Sequence, residues 1–452
     1  MSVSSRSLTT GSIFQSLARF SLPILFTLFL QALYGGVDLL VVGQFASTAD
    51  VSGVSTGGML LSTFTMLVTG LSMGTTVTVG EAIGSGNRRE AGRAVMAGLI
   101  MLGTLAALLT FGLVAFAEPL AALLHAPPEA MAHTVAYIRI CGLGMIFIVA
   151  YNFLGAVLRG AGDAKTPLFT VAVACVVNIV GDLILVSGFH LGAAGAALAT
   201  VTAQAVSVVL CLVILCRRPL PFELHRRTAR PLRRKVLRQL RIGVPVALQE
   251  LLVGSSFLVI QTLVNGMGTT ASAGVGVGEK VCVFIMLVPS AYTQSMSAFV
   301  AQNRGAGHAD RAQQALRCGI LSSLVVGAAM GALAFWHGDW LASFFARGPA
   351  VITAARQYLQ AYAIDCLLTP LLFCFTGYFN GCEKTLFVMV QGIVGAFCVR
   401  IPVAWAMSLL PGTNLFLIGL GTPASSLIQD LLCIGYFMLL RHKEKAELPR
   451  LR

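Results

Sequence analysis

Charge is scarce in this chain: Asp, Glu, Lys and Arg make up 11% of its 452 residues, against roughly a quarter in ordinary soluble domains. With 56% of its residues apolar, glycine not counted, such a chain cannot keep its surface wet. Metal-type cysteine pairs are missing too. The eleven cysteines never fall as Cys-x-x-Cys, and most sit in apolar runs, as Cys175, Cys211 and Cys398 do, where they act as small packing residues. The seven histidines fall in loops or at helix ends, which argues against a buried histidine proton relay. No nucleophile stands beside a base, and no stretch outside the apolar runs is long enough for an ATPase domain, so the chain is not expected to be an enzyme. "GVGVGEK" from Gly274 to Lys280 lacks the Lys-Ser/Thr ending of a phosphate loop and the strand before it. A cleavable leader is not expected, because the first apolar run, Phe20 to Gly43, is too long and leads into further runs.

What the chain has in abundance is long apolar stretches. Runs such as Val95 to Phe116 and Thr166 to Phe189 are long enough to cross ~30 Å of hydrocarbon at ~1.5 Å per residue. The expected fold class is therefore an all-α integral membrane protein of about twelve transmembrane helices, in a lipid bilayer. The expected spans lie near 16–43, 52–80, 91–117, 131–158, 167–188, 193–216, 243–266, 275–301, 312–337, 353–380, 386–410 and 415–440.

The net charge of +13 would suit nucleic acid only if the basic residues shared a folded face with aromatics between them. They do not. Of 31 Lys and Arg, 26 lie in the N-terminal segment, the connections around Arg88, Arg159, Arg217 to Arg241, Arg304 and Lys384, or the tail from Arg441. The intervening loops hold few. By the positive-inside rule both termini and the central connection are expected on the cytoplasmic side of a bacterial-type inner membrane, with an even number of crossings and no nucleic-acid partner.

The two halves repeat each other at a shift of about 221 or 222 residues. Pro23 in "RFSLPILF" meets Pro245 in "RIGVPVAL", "GSGNRREAGRA" from Gly84 meets "GAGHADRAQQA" from Gly305, and "FLGAVLRGAGDAKT" from Phe153 meets "FTGYFNGCEKT" from Phe375 after a short gap. The reading is two pseudo-twofold-related six-helix lobes, 1–216 and 242–440, joined by a basic linker at 217–241 and followed by a tail at 441–452. An even number of helices per copy puts the pseudo-axis along the membrane normal, as in a rocking transporter. Pro23, Pro245, Pro289, Pro370 and Pro402 interrupt helices at membrane depth and are candidate bending points or static kinks.

An ionisable side chain at that depth costs at least ~2.5 kcal/mol on insertion scales, so each one is a functional candidate. Gln31, Tyr34 and Asp38 follow i, i+3, i+7 spacing and form one polar stripe. Asn178 and Asp182 in "NIVGDLI" share a face at i, i+4. Two carboxylates brought together in an apolar lobe repel when both are ionised, which suits a site that takes a proton or a sodium ion. The plainer alternative is that each is hydrogen-bonded in a helix contact. In the second half Glu250, Asp365 and Arg400 lie at membrane depth, with Glu279 and Lys280 nearer the outer rim. Glu250, Gly254, Phe257, Gln261 and Asn265 make a stripe in which an acid beside an aromatic suits an organic cation. Arg400 either meets substrate or neutralises Glu250 or Asp365. Gln31, Tyr34, Glu250, Gln261, Asp365 and Arg400 are thus candidates for a substrate cavity.

The doubled plan, "VDLLVVGQF" around Asp38, "GSGNRREAGRA", "NRGAGHADRAQ", "LRGAGDAKTP", "NIVGDLI" and "GAAGAALAT" together resemble the multidrug and toxic compound extrusion family over nearly the whole chain. The resemblance implies a V-shaped pair of six-helix lobes exporting small-molecule drugs or metabolites in exchange for protons or sodium, with no other cofactor, and a chain expected to work as a monomer. Its wider superfamily also holds flippases for lipid-linked sugars. It places the ion site of bacterial members at Asp38, Asn178, Asp182 and Thr200, with Tyr137 nearby and Na+ as a possible ligand of the first four. In another branch the coupling acids lie in the second lobe, but Glu250 sits closer to the helix proline, and Asp365 further from "NGCEKT", than that pattern has them.

Overall fold

The computed structural model describes residues 8–223 and 232–447, with side chains through 442. The middle of the expected linker, 224–231, and the end of the expected tail, 448–452, lie outside the described residues. Within them the chain forms helices and no strands: α1 (Ile13–Phe45), α2 (Thr48–Gly84), α3 (Arg88–Ala115), α4 (Ala117–Leu123), α5 (Met131–Leu143), α6 (Met145–Gly160), α7 (Lys165–Asp182) and α8 (Gly192–Cys216), then α9 (Arg233–Asn265), α10 (Thr269–Gly305), α11 (Ala309–Trp336), α12 (Gly338–Ser343), α13 (Pro349–Gly381), α14 (Thr385–Ile393), α15 (Ile401–Ser408), α16 (Leu415–Gly419) and α17 (Gly421–Glu447). Eleven helical stretches are long and apolar enough to cross a membrane, and α5 with α6, bent by 48° at their junction, makes a twelfth if the pair is one span. The protein is an all-α membrane protein, as its composition demands.

Local chemistry sets where these helices start. Ser47 and Asp50 form a reciprocal capping box at α2, Asn87 Oδ1 accepts the Glu90 N–H at α3, and Asp163 Oδ1 accepts the N–H groups of Lys165 and Thr166 at α7; each satisfies donors that a helix start leaves open. Two helices widen into π turns, at Leu183–Gly188 after α7 and Val394–Arg400 after α14. Such turns recur at functional sites because they re-aim the side chains beside them.

Several elements differ from the sequence reading; the expected span 415–440, for one, is divided between α16 and α17. The expected span 131–158 is broken between α5 and α6 beside Gly142 and Gly144. Expected span 386–410 is interrupted by the π turn that carries Arg400. Helix α9 begins at Arg233 rather than near 243, because the basic segment before it carries Val236, Gln239 and Leu240 at helical spacing and docks them on the first half of the chain.

The side chains are distributed inside out relative to a water-soluble protein. Leu40, Leu108, Phe111 and Val325 are exposed, while Asn178, Asp182, Asp365 and Asp430 are buried. Hydrocarbon as the surrounding solvent accounts for both halves of that pattern.

Two compact units emerge. The first comprises Met1–Ala247, Ser297–Ala312 and Gly381–Glu383, and the second Leu248–Met296, Gln313–Asn380 and Lys384–Arg452. The first turns of α9 and the last turns of α10 therefore belong with the first unit rather than with their own sequence repeat.

Candidate functional site

In the first unit α1, α5, α7 and α8 converge on a buried polar group. Small residues allow the approach: a Cβ on Gly181 of α7 would stand 3.0 Å from Ala199 Cβ of α8. Asp38 projects from α1, and its Oδ2 accepts a hydrogen bond from Thr200 Oγ1 at 3.0 Å. Asp182, the last residue of α7 before the π turn, and Asn178 one turn earlier are neighbours of Asp38. Tyr137 of α5 borders the same acids, its ring seated where a Cβ on Gly57 would come within 2.5 Å of its Cδ1. Asp182 is 0% and Asn178 1% exposed, and Asp38, Thr200 and Tyr137 are also buried.

What the group leaves unsatisfied matters more than its closeness. Asp38 Oδ1, both oxygens of Asp182, and the amide oxygen and nitrogen of Asn178 are buried and find no hydrogen-bond partner among the described residues. Two ionised carboxylates offer each other acceptors only, and an unpaired buried charge is among the costliest groups a protein can hold. A proton shared between Asp38 and Asp182, or a monovalent cation held by their oxygens with those of Asn178 and Thr200, removes the conflict. The donor set is all oxygen, which suits a hard cation. No cluster of three His, Cys, Asp or Glu fit for a structural metal exists among the described residues.

The rest of the α1 stripe faces the same bundle. Gln31 Nε2 donates to Tyr151 Oη at 3.3 Å, and Tyr34 Oη accepts from Gln204 Nε2 at 3.1 Å. Both are half-buried and tied to helices of their own unit. Tyr151 and Gln204 were not singled out from sequence, although Gln204 lies one turn after Thr200 and so shares its face.

The second unit treats its charges differently. Asp365 of α13 is buried against Ser426 of α17 and Thr369 of its own helix. Arg400 is buried in the π turn; its Nη1 donates to Ser256 Oγ at 3.0 Å, and its guanidinium lies 4.3 Å from the centroid of the Phe257 ring. Arg400 and Asp365 are within electrostatic range of each other, yet Arg400 makes no direct ion pair with Asp365 or Glu250 among the described residues. One face of Phe257, which the sequence offered to an organic cation, is thus covered by an internal one. Gln261 turns to Asn265 and Ser272, donating at 2.9 and 3.1 Å, and Glu250 is exposed on α9.

A further buried acid escaped the sequence reading. Asp430 of α17 is 2% exposed, both its oxygens lack a partner among the described residues, and Asp365 is in electrostatic range. Its signal was present: Ser426 and Asp430 in "SSLIQD" have the i, i+4 spacing of a polar face.

Comparison with known proteins bears on this arrangement. The family model described as MatE matches residues 23–184 and again 245–406, one match in each repeat. The chain is 26% identical over 441 residues to the probable multidrug resistance protein YoeA of Bacillus subtilis, covering 96% of this chain and 95% of that one. It is 25% identical over 442 residues to the multidrug export protein MepA of Staphylococcus saprophyticus, covering 95% and 94%. Among solved structures, one described as the outward-facing conformation of a multidrug resistance MATE family transporter of the MOP superfamily superposes with a TM-score of 0.90 at 19% identity, over 97% of this chain and 98% of that one. The fold and the paired family match define a polytopic, all-α membrane protein of the transporter class. The chain belongs to the MatE family.

Proposed function

We propose that this protein exports amphipathic, often cationic small molecules from the cytoplasm in exchange for protons or sodium ions, and that Asp38 and Asp182, with Asn178 and Thr200, bind the counter-ion. The observation that carries the reading is the set of five buried polar atoms on Asp38, Asp182 and Asn178 that find no partner among the described residues. A group this costly to leave empty is stabilised by whichever small cation it takes up, and is therefore coupled to the supply of that cation on each side of the membrane. The proposed cycle is alternating access: the loaded and unloaded acids favour different arrangements of the helices around them, and the ion and the exported molecule weaken each other's binding by the same factor. The names of the relatives, multidrug resistance and multidrug export proteins, support the choice of cargo. The distribution of Lys and Arg supports an inner-membrane protein with both termini cytoplasmic, and we take a single chain to be the working unit.

The rival role, a flippase for lipid-linked precursors, asks for basic groups to receive phosphate. The buried charges described above are mostly acids, with Arg400 set against Asp365 and Phe257, which favours cationic cargo. The test is transport of a fluorescent organic cation by the reconstituted protein under separately imposed pH and sodium gradients. Uptake into vesicles driven by one gradient, and lost with Asp182→Asn, supports the antiporter. Flux indifferent to both gradients, or movement of a labelled lipid instead, overturns it.

A further inference from the structure

We propose that the first turns of α9 form a clasp, in which Arg238 grips Glu81 and Glu383 together and holds the start of α9 and the turn between α13 and α14 against the end of α2. The clasp rests on the alternating-access reading for its purpose, but every contact in it lies within the first compact unit.

Lys235, Arg238, Gln239 and Ile242 follow i, i+3, i+4, i+7 spacing and share one face of α9. Each engages the first sequence repeat. Lys235 Nζ donates to Glu90 of α3, which also accepts from Arg93 Nη1 at 2.6 Å. Arg238 Nη2 donates to Glu81 near the end of α2 and, at 2.5 Å, to Glu383 in the turn between α13 and α14, while its Nε reaches the other Glu383 oxygen at 3.3 Å. That is a two-pronged grip on one carboxylate and a single contact on another. Glu383 itself has φ of 61°, a left-handed backbone that residues other than glycine seldom adopt. The residue in that left-handed turn is thus one whose carboxylate Arg238 grips.

Beneath the ionic layer the seam is close. Gln239 is wholly buried; its Nε2 donates to Thr78 Oγ1 at 2.9 Å and to the Ala94 carbonyl at 2.8 Å, and its Oε1 accepts from Thr75 Oγ1 at 3.2 Å. A Cβ on Gly74 would lie 2.3 Å from the Gln239 carbonyl oxygen, one on Gly84 1.9 Å from that of Gln302, and one on Gly305 2.1 Å from that of Glu81. Helix α2 is thus pinned along its last turns between the start of α9 and the end of α10.

The clasp is suited to opening. The Arg238, Glu81 and Glu383 side chains are 37%, 40% and 31% exposed, so water can replace each partner when they part, and no charge is stranded. Partly exposed pairs of this kind hold modestly, as a contact broken in every cycle must. One guanidinium also faces two carboxylates. Removing Arg238 therefore does more than lose a tie: it leaves Glu81 and Glu383 repelling each other across the seam.

The test is a distance measurement by electron spin resonance in nanodiscs, with labels at Ser85→Cys, after α2, and Ala309→Cys, at the start of α11, in a background lacking the exposed Cys216 and Cys398. The wild type should show mainly the short distance. Arg238→Gln should raise the long-distance population several-fold, Glu383→Gln and Glu81→Gln should raise it less, and Arg238→Lys should restore most of the short one. In efflux assays Arg238→Gln should lower KM on the clasp side together with kcat. Identical distance distributions in wild type and Arg238→Gln overturn the proposal. Should Arg238→Gln not fold, the two Glu→Gln variants decide alone, and unchanged distances in both overturn it equally. If the exporter reading fails but the clasp holds, gradient-driven flux is absent throughout while the distances still follow Arg238.

Discussion

Thr200 Oγ1 on α8 donates to Asp38 Oδ2 on α1 at 3.0 Å, and it supplies a hydrogen bond to a pair of buried acids that otherwise lack donors. A hydroxyl can give its proton to a carboxylate or turn its oxygen to a cation. Thr200→Val keeps the shape and removes both abilities. It should weaken counter-ion dependence of efflux about tenfold, equivalent to ~1.4 kcal/mol, while Thr200→Ser should stay near wild type. Efflux rate against counter-ion concentration checks this.

Asp182 contributes two unpartnered oxygens to the site. Removing a buried charge that has no partner should not destabilise the fold, since the loss is of a cost rather than of a contact. Asp182→Asn is therefore expected to abolish ion-driven efflux with a Tm at or above that of the wild type. A thermal melt run beside the transport assay separates this from simple unfolding.

Two adjacent glycines on α2 should respond differently to one methyl group. A Cβ on Gly57 would meet the Tyr137 ring at 2.5 Å, whereas one on Gly58 has only the Tyr137 hydroxyl near it, at 3.9 Å. Gly57→Ala should cost about 1–3 kcal/mol by overpacking and displace Tyr137 from the acids, impairing efflux as well. Gly58→Ala should be close to neutral, and Tm values of the two compare them directly.

In the second unit Arg400 is the buried positive charge within range of Asp365, with Asp430 in turn within range of Asp365. Taking the guanidinium away leaves buried acids without compensation. Arg400→Leu should destabilise the protein by roughly 3 kcal/mol, and adding Asp365→Asn should recover much of that loss. Additive effects of the two substitutions, measured by thermal denaturation, would contradict the electrostatic link.

Much of this was legible in the chain itself, for identifiable reasons. The membrane fold follows from apolar runs that no soluble core needs, and the repeat from landmarks such as Pro23 with Pro245. Asp38 and Asp182 stood out because acids are rare in such runs, whereas the places of Thr200 and Tyr137 came from family resemblance, since neither residue type is unusual in a membrane helix. Asp430 was overlooked at the end of a polar stripe close to the basic tail. The early start of α9 was hidden because Lys235 and Arg238 read as linker charge; their partners, Glu90, Glu81 and Glu383, are up to 157 residues away in the chain, and periodicity says nothing about such pairs. The contact of Arg400 with Phe257 was invisible for the same reason.

The central claim is that the exported molecule and a cation held at Asp38 and Asp182 exclude each other. It is tested most directly by adding a fluorescent organic cation to purified protein in weakly buffered solution, and by following ion release with a pH indicator and a sodium electrode. The account predicts release of one of the two ions as the organic cation binds, and none from Asp182→Asn. Binding by the wild type with no ion released, or equal release from the variant, would contradict it.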